Sequence, residues 1–161
     1  MQNMNGNSFY DTHEVEKLTT IYNRMIRLRI NDTLKEFELS ESNFFYVLLV
    51  CESPGVSQDE LIQNIYRDHS VVTRAISKLI KDGWLEKKMS SADKRRTELY
   101  PTAKAINNYQ DIFDRITVVN DESISVLSEE EIKQFEHILE KVIKSGIERE
   151  RLAGRKISEL F

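Results

Sequence analysis

The stretch from Val56 to Thr102, VSQDELIQNIYRDHSVVTRAISKLIKDGWLEKKMSSADKRRTELYPT, decides the fold of this 161-residue chain. It contains two segments whose apolar residues recur at helical spacing, and the second segment ends at Gly83. Two segments with partial alternation follow at residues 84–88 and 97–100, separated by a polar tip with three successive cations. The order predicts two short helices followed by a β-hairpin.

The first of these helices is predicted to begin at Ser57. Residues 57–60, SQDE, have the form of a capping box, in which the Ser and Glu side chains each bind the other residue's backbone amide. The apolar face that follows consists of Leu61, Ile62 and Ile65. The second helix is predicted to stop at Gly83, because glycine adopts a left-handed conformation without a β-carbon clash.

The second helix has one apolar face and one face that is small, polar and basic. Its apolar positions are Val72, Ala75, Ile76, Leu79 and Ile80. The opposite face carries Ser70, Thr73, Arg74, Ser77 and Lys78. An uncrowded polar helix face fits the major groove of B-DNA, and an extended hairpin can reach phosphates or the adjacent minor groove. The stretch therefore predicts a winged helix-turn-helix, in which the hairpin is the wing.

The stretch resembles the multiple antibiotic resistance regulator (MarR) family of bacterial and archaeal transcription factors. The matching runs are SQDEL at residues 57–61, VTRAI at 72–76 with Lys78-Leu79, KDGWLEK at 81–87 and DKR at 93–95. By this resemblance, Arg95 enters the minor groove while Asp93 orients the wing tip. The chain departs from the family pattern before the next helix, where Pro101-Thr102 replaces Leu-Thr and Ala105 replaces a frequent glycine.

The predicted DNA-binding residues lie on the second helix, near its start and on the wing. Arg74 is the leading candidate for a base or phosphate contact, since a guanidinium donates two parallel hydrogen bonds. Arg95 would gain from the enhanced negative potential of a narrow minor groove. An ordinary solvated helix face and a solubilising hairpin tip are the alternative interpretations. The full predicted set is Ser57, His69, Ser70, Thr73, Arg74, Ser77, Lys78, Asp93, Lys94, Arg95 and Arg96.

The charge of the chain is unevenly distributed. The net charge is −4, yet residues 67–104 hold 10 Lys/Arg and 5 Asp/Glu, which gives this segment +5 and the remainder −9. Phosphate contact depends on the local potential, so a basic patch on an acidic protein is compatible with DNA binding.

Long amphipathic helices are predicted on both sides of the winged region. The apolar stripe of the first contains Val15, Leu18, Ile21, Tyr22, Met25 and Leu28. A helix that begins at Pro101 or Thr102 has the apolar face Ala105, Ile106, Tyr109, Ile112, Phe113, Ile116 and Val119. The next helix, capped by Ser128 and Glu131, carries Ile132, Phe135, Ile138, Leu139, Val142 and Ile143. These faces exceed what the winged region can cover, which predicts a second copy of the chain as partner.

The predicted organisation is a single MarR-like domain over residues 1–161. It has dimerisation helices in 9–36 and 102–161 and the winged helix-turn-helix in 40–101. Within the latter, Ser40 is expected to cap a buried core helix over residues 44–51, with Asn43 as its reciprocal partner. Residues 1–8 are expected to form a mobile tail, and beyond Gly146 the pattern indicates either a last helix or an arm that orders on a partner.

Several classes of protein lack support in the sequence. The low Gly and Pro counts, 5 and 2, favour a mainly helical fold, and no apolar run approaches the ~20 residues of a membrane helix. The three histidines are scattered and the single cysteine, Cys51, has apolar neighbours. No catalytic motif is visible. We therefore predict a cytoplasmic, non-enzymatic protein without cofactor or metal.

The predicted function is sequence-specific regulation of transcription by a homodimer on a pseudo-palindromic site in double-stranded DNA, as a repressor. The alternative is a winged-helix module whose basic wing binds an acidic protein. The resemblance also implies release from DNA by a small phenolic or anionic effector. Aromatic residues either line such a cavity or pack the core; they are Phe9, Tyr10, Tyr22, Phe44, Phe45, Tyr46, Tyr109 and Phe113.

Overall fold

The computed structural model describes residues 14–65, 69–90 and 96–154, without the side chains of residues 62–65. Within these ranges the fold is mainly helical with a small antiparallel sheet, as predicted. Its elements are α1 (Glu14–Thr33), a 3-10 turn (Lys35–Phe37), α2 (Phe44–Glu52), β1 (Val56–Ser57), α3 (Gln58–Ile65), α4 (His69–Lys81), β2 (Leu85–Met89), β3 (Thr97–Pro101), α5 (Ala103–Ile124) and α6 (Glu129–Leu152).

The sheet has the strand order β1-β3-β2. The central strand β3 places Leu99 opposite Val56 on one side and Lys87 on the other, and both pairings are antiparallel. The hairpin β2–β3 confirms the predicted wing strands to within one residue. The strand β1 was not predicted, because two residues are too few to show an alternating pattern.

The helix ends follow the predicted capping chemistry. At the start of α3 the Ser57 amide donates to Glu60 Oε2 at 2.8 Å, and the Glu60 amide donates to Ser57 Oγ at 3.2 Å. The same box forms between Ser128 and Glu131 at the start of α6. Thr102 caps α5. The end of α4 is the predicted left-handed stop, with φ of +74° at Gly83.

The predicted cap at Ser40 is wrong. The helix α2 begins only at Phe44, and Ser40 Oγ lies 2.8 Å from Ser42 Oγ instead of binding a helix amide. The Ser40 amide does donate to Asn43 Oδ1 at 2.7 Å. Because the Ser40 carbonyl accepts from both Asn43 and Phe44, the chain makes a full turn before the helix starts.

The core lies where α2, α4, the sheet and α5 meet. Its largest fully buried side chains include Trp84, Tyr46, Leu34, Ile76, Leu79, Leu99 and Ile112. On α5 the buried residues are Ala105, Ile112, Ile116 and Val119. Ile106 and Phe113, which also lie on the predicted apolar face, are 59% and 43% exposed, so they belong to the part of that face that the core leaves uncovered.

The two outer helices contribute little to this core. Ile30 is the buried residue of α1, and no residue of α6 is buried within the described chain. The helix α6 also continues through Gly146 to Leu152, so no new element starts at that glycine. In residues 14–65, 69–90 and 96–154, each helix is too short or too polar to cross a membrane.

Candidate nucleic-acid interface

The helix α4 presents the predicted polar face to solvent. Its apolar side is held in the core by Val72, Ile76 and Leu79, all completely buried. The side chains of His69, Ser70, Arg74, Ser77 and Lys78 are exposed on the other side, with Thr73 partly buried beside them. Packing of one face on the core therefore leaves the opposite face largely exposed to solvent along the helix.

Arg74 and Lys78 each contact a residue four positions away in the chain. Arg74 Nε donates to the Ser70 carbonyl at 3.2 Å, which holds the side chain along the helix. Lys78 Nζ lies 2.5 Å from Asp82 Oδ2, an exposed pair that contributes little stability. The two cations also line an open cleft of about 290 Å³ with Ser40 and Ser42, at the start of α2. The sequence did not indicate either serine as part of this surface.

The structure places Ser57 differently from the predicted DNA contact. Its side chain is buried, with 6% of the residue exposed, and its hydroxyl donates to Glu60 Oε2. Arg96, at the base of the wing, donates from Nη2 to Glu60 Oε1 at 3.1 Å and to Ser57 Oγ at 3.4 Å. Ser57 and Glu60 therefore hold the wing base against the start of α3, and Ser57 lacks the exposure that a DNA contact needs.

The wing tip lies outside the described residues. Asp93, Lys94 and Arg95 belong to it, so their predicted roles remain predictions. Arg96 is described and exposed at the base of the wing. Arg96 pairs with Glu60, and its predicted phosphate contact also remains a prediction.

A chain of hydrogen bonds joins the wing to α4. Lys87 Nζ on β2 lies 3.3 Å from Gln58 Oε1, and Gln58 Nε2 lies 2.8 Å from Thr73 Oγ1. Thr73 Oγ1 in turn donates to the His69 carbonyl at 2.8 Å. Sequence reasoning missed Gln58, because the middle positions of a capping box carry no constraint. Lys87 was indicated only by the local positive charge.

This chain of hydrogen bonds borders a polar cleft of about 310 Å³ between the wing base and α4. The cleft is lined by the cations Lys87 and Arg96. Its other lining residues are Ser57, Gln58, Asp59, His69 and Thr97. The cleft and the exposed face of α4 therefore form one continuous polar surface, which we call the α4–wing surface.

Glu60 links the cap of α3 to the wing. The amide and hydroxyl of Ser57, followed by Arg96, bind the ionised carboxylate and hold the pKa of Glu60 below its ordinary value. A carboxylate whose pKa is lowered in the folded protein contributes its full stabilisation at pH values above the ordinary pKa of glutamate. This stabilisation is lost as the pH falls through the lowered folded value.

We expect Glu60→Gln to reduce the loss of stability on acidification. The glutamine cannot ionise, so the contribution of this carboxylate is absent at neutral pH and has no part in acid unfolding. Urea unfolding at neutral and acidic pH measures the difference, with Asp59→Asn in the same helical turn as control. An acid sensitivity equal to that of the wild type would contradict the assignment.

The surroundings of Cys51 disfavour thiol chemistry. Cys51 is half-buried, and burial, followed by the nearby charge of Glu52, raises the pKa of its thiol, which disfavours the reactive thiolate. In the part of the chain that the structure describes, no three His, Cys, Asp or Glu side chains are grouped to hold a metal ion.

Comparison with known proteins identifies chains that are similar to this one. Residues 39–97 match the family model described as MarR family. The HTH-type transcriptional regulator BilQ of Clostridium symbiosum (strain WAL-14163) is 29% identical over 127 residues, which are 79% of this chain and 88% of that protein. The predictions of a MarR-type winged helix and of a non-enzymatic protein agree with these relatives.

Two solved structures share the fold over most of their length. The transcriptional regulator SlyA is 26% identical with a TM-score of 0.78, over 86% of this chain and 98% of that one. A putative MarR family transcriptional regulator from Listeria monocytogenes, crystallised with a 26mer DNA, is 26% identical with a TM-score of 0.75. That match covers 88% of this chain and 95% of the other.

Proposed function

This chain belongs to the MarR family of transcriptional regulators, and from that premise we propose that it represses transcription as a homodimer bound to a pseudo-palindromic operator. The observation that carries the proposal is the α4–wing surface. On α4 the residues Val72, Ile76 and Leu79 are buried in the core and the opposite face with Arg74 is exposed. The cationic base of the wing lies beside this face. This is the arrangement that a major groove and a neighbouring groove accommodate.

Two further facts support duplex DNA as the partner. The segment 67–104, which contains α4 and the wing, carries +5 in a chain of net charge −4. A field of this sign attracts phosphates and makes binding salt-dependent. The similar Listeria regulator was crystallised with DNA. A regulator of chromosomal genes works in the cytoplasm, which is the location that we propose.

The outer helices support a second copy of the chain as the dimer partner. On α1 the side chains of Leu18, Met25 and Leu28 are 54–59% exposed, and on α6 Ile138 and Val142 are 58% and 63% exposed. The rings of Tyr22 and Phe135 meet edge to face with centroids 6.3 Å apart, so the two helices offer one apolar surface. A two-fold axis at this surface would pack it against the same surface of a second copy and would set two α4 helices about 34 Å apart.

Repression and effector release complete the proposal. A dimer that covers promoter DNA blocks access of the polymerase, which makes repression the simplest outcome. A small phenolic or anionic effector would fit an open cleft of about 320 Å³ between α1 and α2. Its lining contains aromatic rings and the Arg27–Glu41 ion pair, so an anionic effector would have to compete with Glu41 for Arg27. The lining residues are Asn23, Ile26, Arg27, Ile30, Glu41, Phe44 and Phe45.

The test of DNA binding uses fluorescence anisotropy on promoter DNA from the protein's own locus. We expect Arg74→Ala with Arg95→Ala to weaken binding by about 100-fold, since each arginine contact contributes ~1–3 kcal/mol. The salt slope should fall by about one unit for each phosphate that the variant no longer binds. Arg74→Lys keeps the charge but cannot donate two parallel hydrogen bonds, so it separates base readout from charge.

Binding unaffected by the double substitution would refute the proposal. A protein partner recovered by pull-down, with duplex DNA unable to compete, would instead support the predicted alternative of a protein-interaction module.

A further inference from the structure

We infer that Gln58 is a positioning residue that sets the angle between the wing and α4, and thereby the fit of both to DNA. The inference rests on the proposed function. Its basis is the bridge already described, in which one partly buried glutamine on α3 contacts β2 through Lys87 and α4 through Thr73. One side chain thus joins three elements of the α4–wing surface.

The donors and acceptors of this bridge have one consistent direction. Lys87 has only donors, so the Gln58 oxygen must face it and the Gln58 amino group must face Thr73. The Thr73 hydroxyl accepts from Gln58 and gives its own proton to the His69 carbonyl, 2.8 Å away. Each member of such a chain polarises the next, which strengthens the bonds together.

The bridge acts at the end of α4 that has no covalent link to the wing. The chain passes from α4 to β2 through Gly83, whereas Thr73 lies eight residues before the end of α4 at Lys81, about 12 Å along the helix axis. A small rotation at Gly83 would therefore move the start of α4 appreciably. That start matters because the first residues of a recognition helix contact the base edges.

The packing of α4 on the core supplies no directional bond against this rotation. The buried side chains of Val72, Ile76 and Leu79 hold α4 to the core, but apolar burial is non-directional. A hydrogen bond has a defined length and angle. The Gln58–Thr73 hydrogen bond, 2.8 Å long between partly buried groups, therefore fixes the position of the start of α4 relative to α3. The longer hydrogen bond from the exposed Lys87 connects this pair to the wing.

The primary experiment compares Gln58→Ala with Gln110→Ala, which makes the same chemical change on an exposed face of α5. The probe is the duplex that wild-type protein selects from a random-sequence library. We expect Gln58→Ala to weaken binding to this duplex about fivefold, the effect of one neutral hydrogen bond. Gln110→Ala should bind like the wild type.

A positioning role predicts a particular pattern beyond this weakening. Affinity for unselected duplex and the salt slope should stay unchanged, because the substitution removes no group that binds a phosphate. The ratio of selected to unselected binding should therefore fall by the same factor of about five. Equal weakening on both duplexes would overturn the inference.

A double-mutant cycle with Thr73→Val tests the route of the effect. If Gln58 acts through the Thr73 hydroxyl, Gln58→Ala should cost less than about twofold in the Thr73→Val background. A full fivefold effect in that background would show that Gln58 contacts DNA by itself, and would overturn the positioning role.

Amide NMR spectra of the free protein separate this inference from the proposed function. We expect Gln58→Ala to shift the backbone signals of Thr73 and Lys87, which are 15 and 29 residues away, and Gln110→Ala to shift neither. Unshifted signals at both positions would overturn the bridge. If wild-type protein selects no duplex, the proposed function fails while these spectra still decide whether the bridge exists.

Discussion

Replacing Ile138 and Val142 by aspartate is expected to produce a monomer that binds a two-half-site duplex about 100-fold or more weakly than wild type. Both side chains lie exposed on one face of α6 in the single chain. Burying two unpaired carboxylates in an interface is strongly unfavourable. A monomer also engages one half-site at a time and loses the effective concentration that links binding at the second half-site to the first.

The mass in solution and DNA affinity measure this result together. Sedimentation should give 18.9 kDa for the variant and twice that mass for the wild type. Because α6 has no buried residue in the described chain, the variant should keep its helical circular dichroism spectrum. The control, Lys133→Asp with His137→Asp, places two carboxylates on the opposite face of α6 and should remain dimeric. A dimeric Ile138→Asp, Val142→Asp variant would contradict the proposed interface.

Replacing Trp84 by alanine is expected to lower the free energy of unfolding by about 3–5 kcal/mol. Trp84 is completely buried, and its ring meets that of Phe37 at a centroid distance of 6.5 Å. Its amide donates to the Leu79 carbonyl, and its own carbonyl accepts from the Thr102 amide. The end of α4, the wing and the start of α5 therefore meet at this residue, so the cavity would loosen all three.

Urea unfolding followed by far-ultraviolet circular dichroism measures this effect, since Trp84 is the only tryptophan for fluorescence. Trp84→Phe is the matched control. Among the described residues none accepts a hydrogen bond from the buried Trp84 Nε1, so phenylalanine gives up no such bond. We expect it to cost less than half as much as alanine. An alanine variant within about 1 kcal/mol of wild type would contradict the central packing role of Trp84.

The parts of the fold that the sequence predicted well depend on neighbours along the chain. The capping boxes at Ser57 and Ser128 join residues three apart, and the polar face of α4 follows from helical periodicity. Gly83 was recognised because its left-handed turn requires a residue without a β-carbon. The exposed stripe on α1 was also visible as a periodic surplus of apolar residues.

The sequence was insufficient where a distant segment decides the outcome. On α5, periodicity identified the apolar face but not which part of it the core covers, which is the part with Ile112 and Ile116 and not the part with Ile106 and Phe113. Ser40 matched a cap pattern, yet its carbonyl forms a turn that delays α2 to Phe44.

The sequence by itself determined the winged helix-turn-helix, the polar face of α4 and the surplus apolar faces of the outer helices. The reason is that each depends on residues within a few positions of one another. Only the tertiary structure decided that Ser57 is buried and that Gln58 bridges α4 and the wing. It also decided that Arg96 pairs with Glu60, 36 residues away. Those contacts exist because the core packing of α4 against the sheet brings together side chains that no local pattern connects.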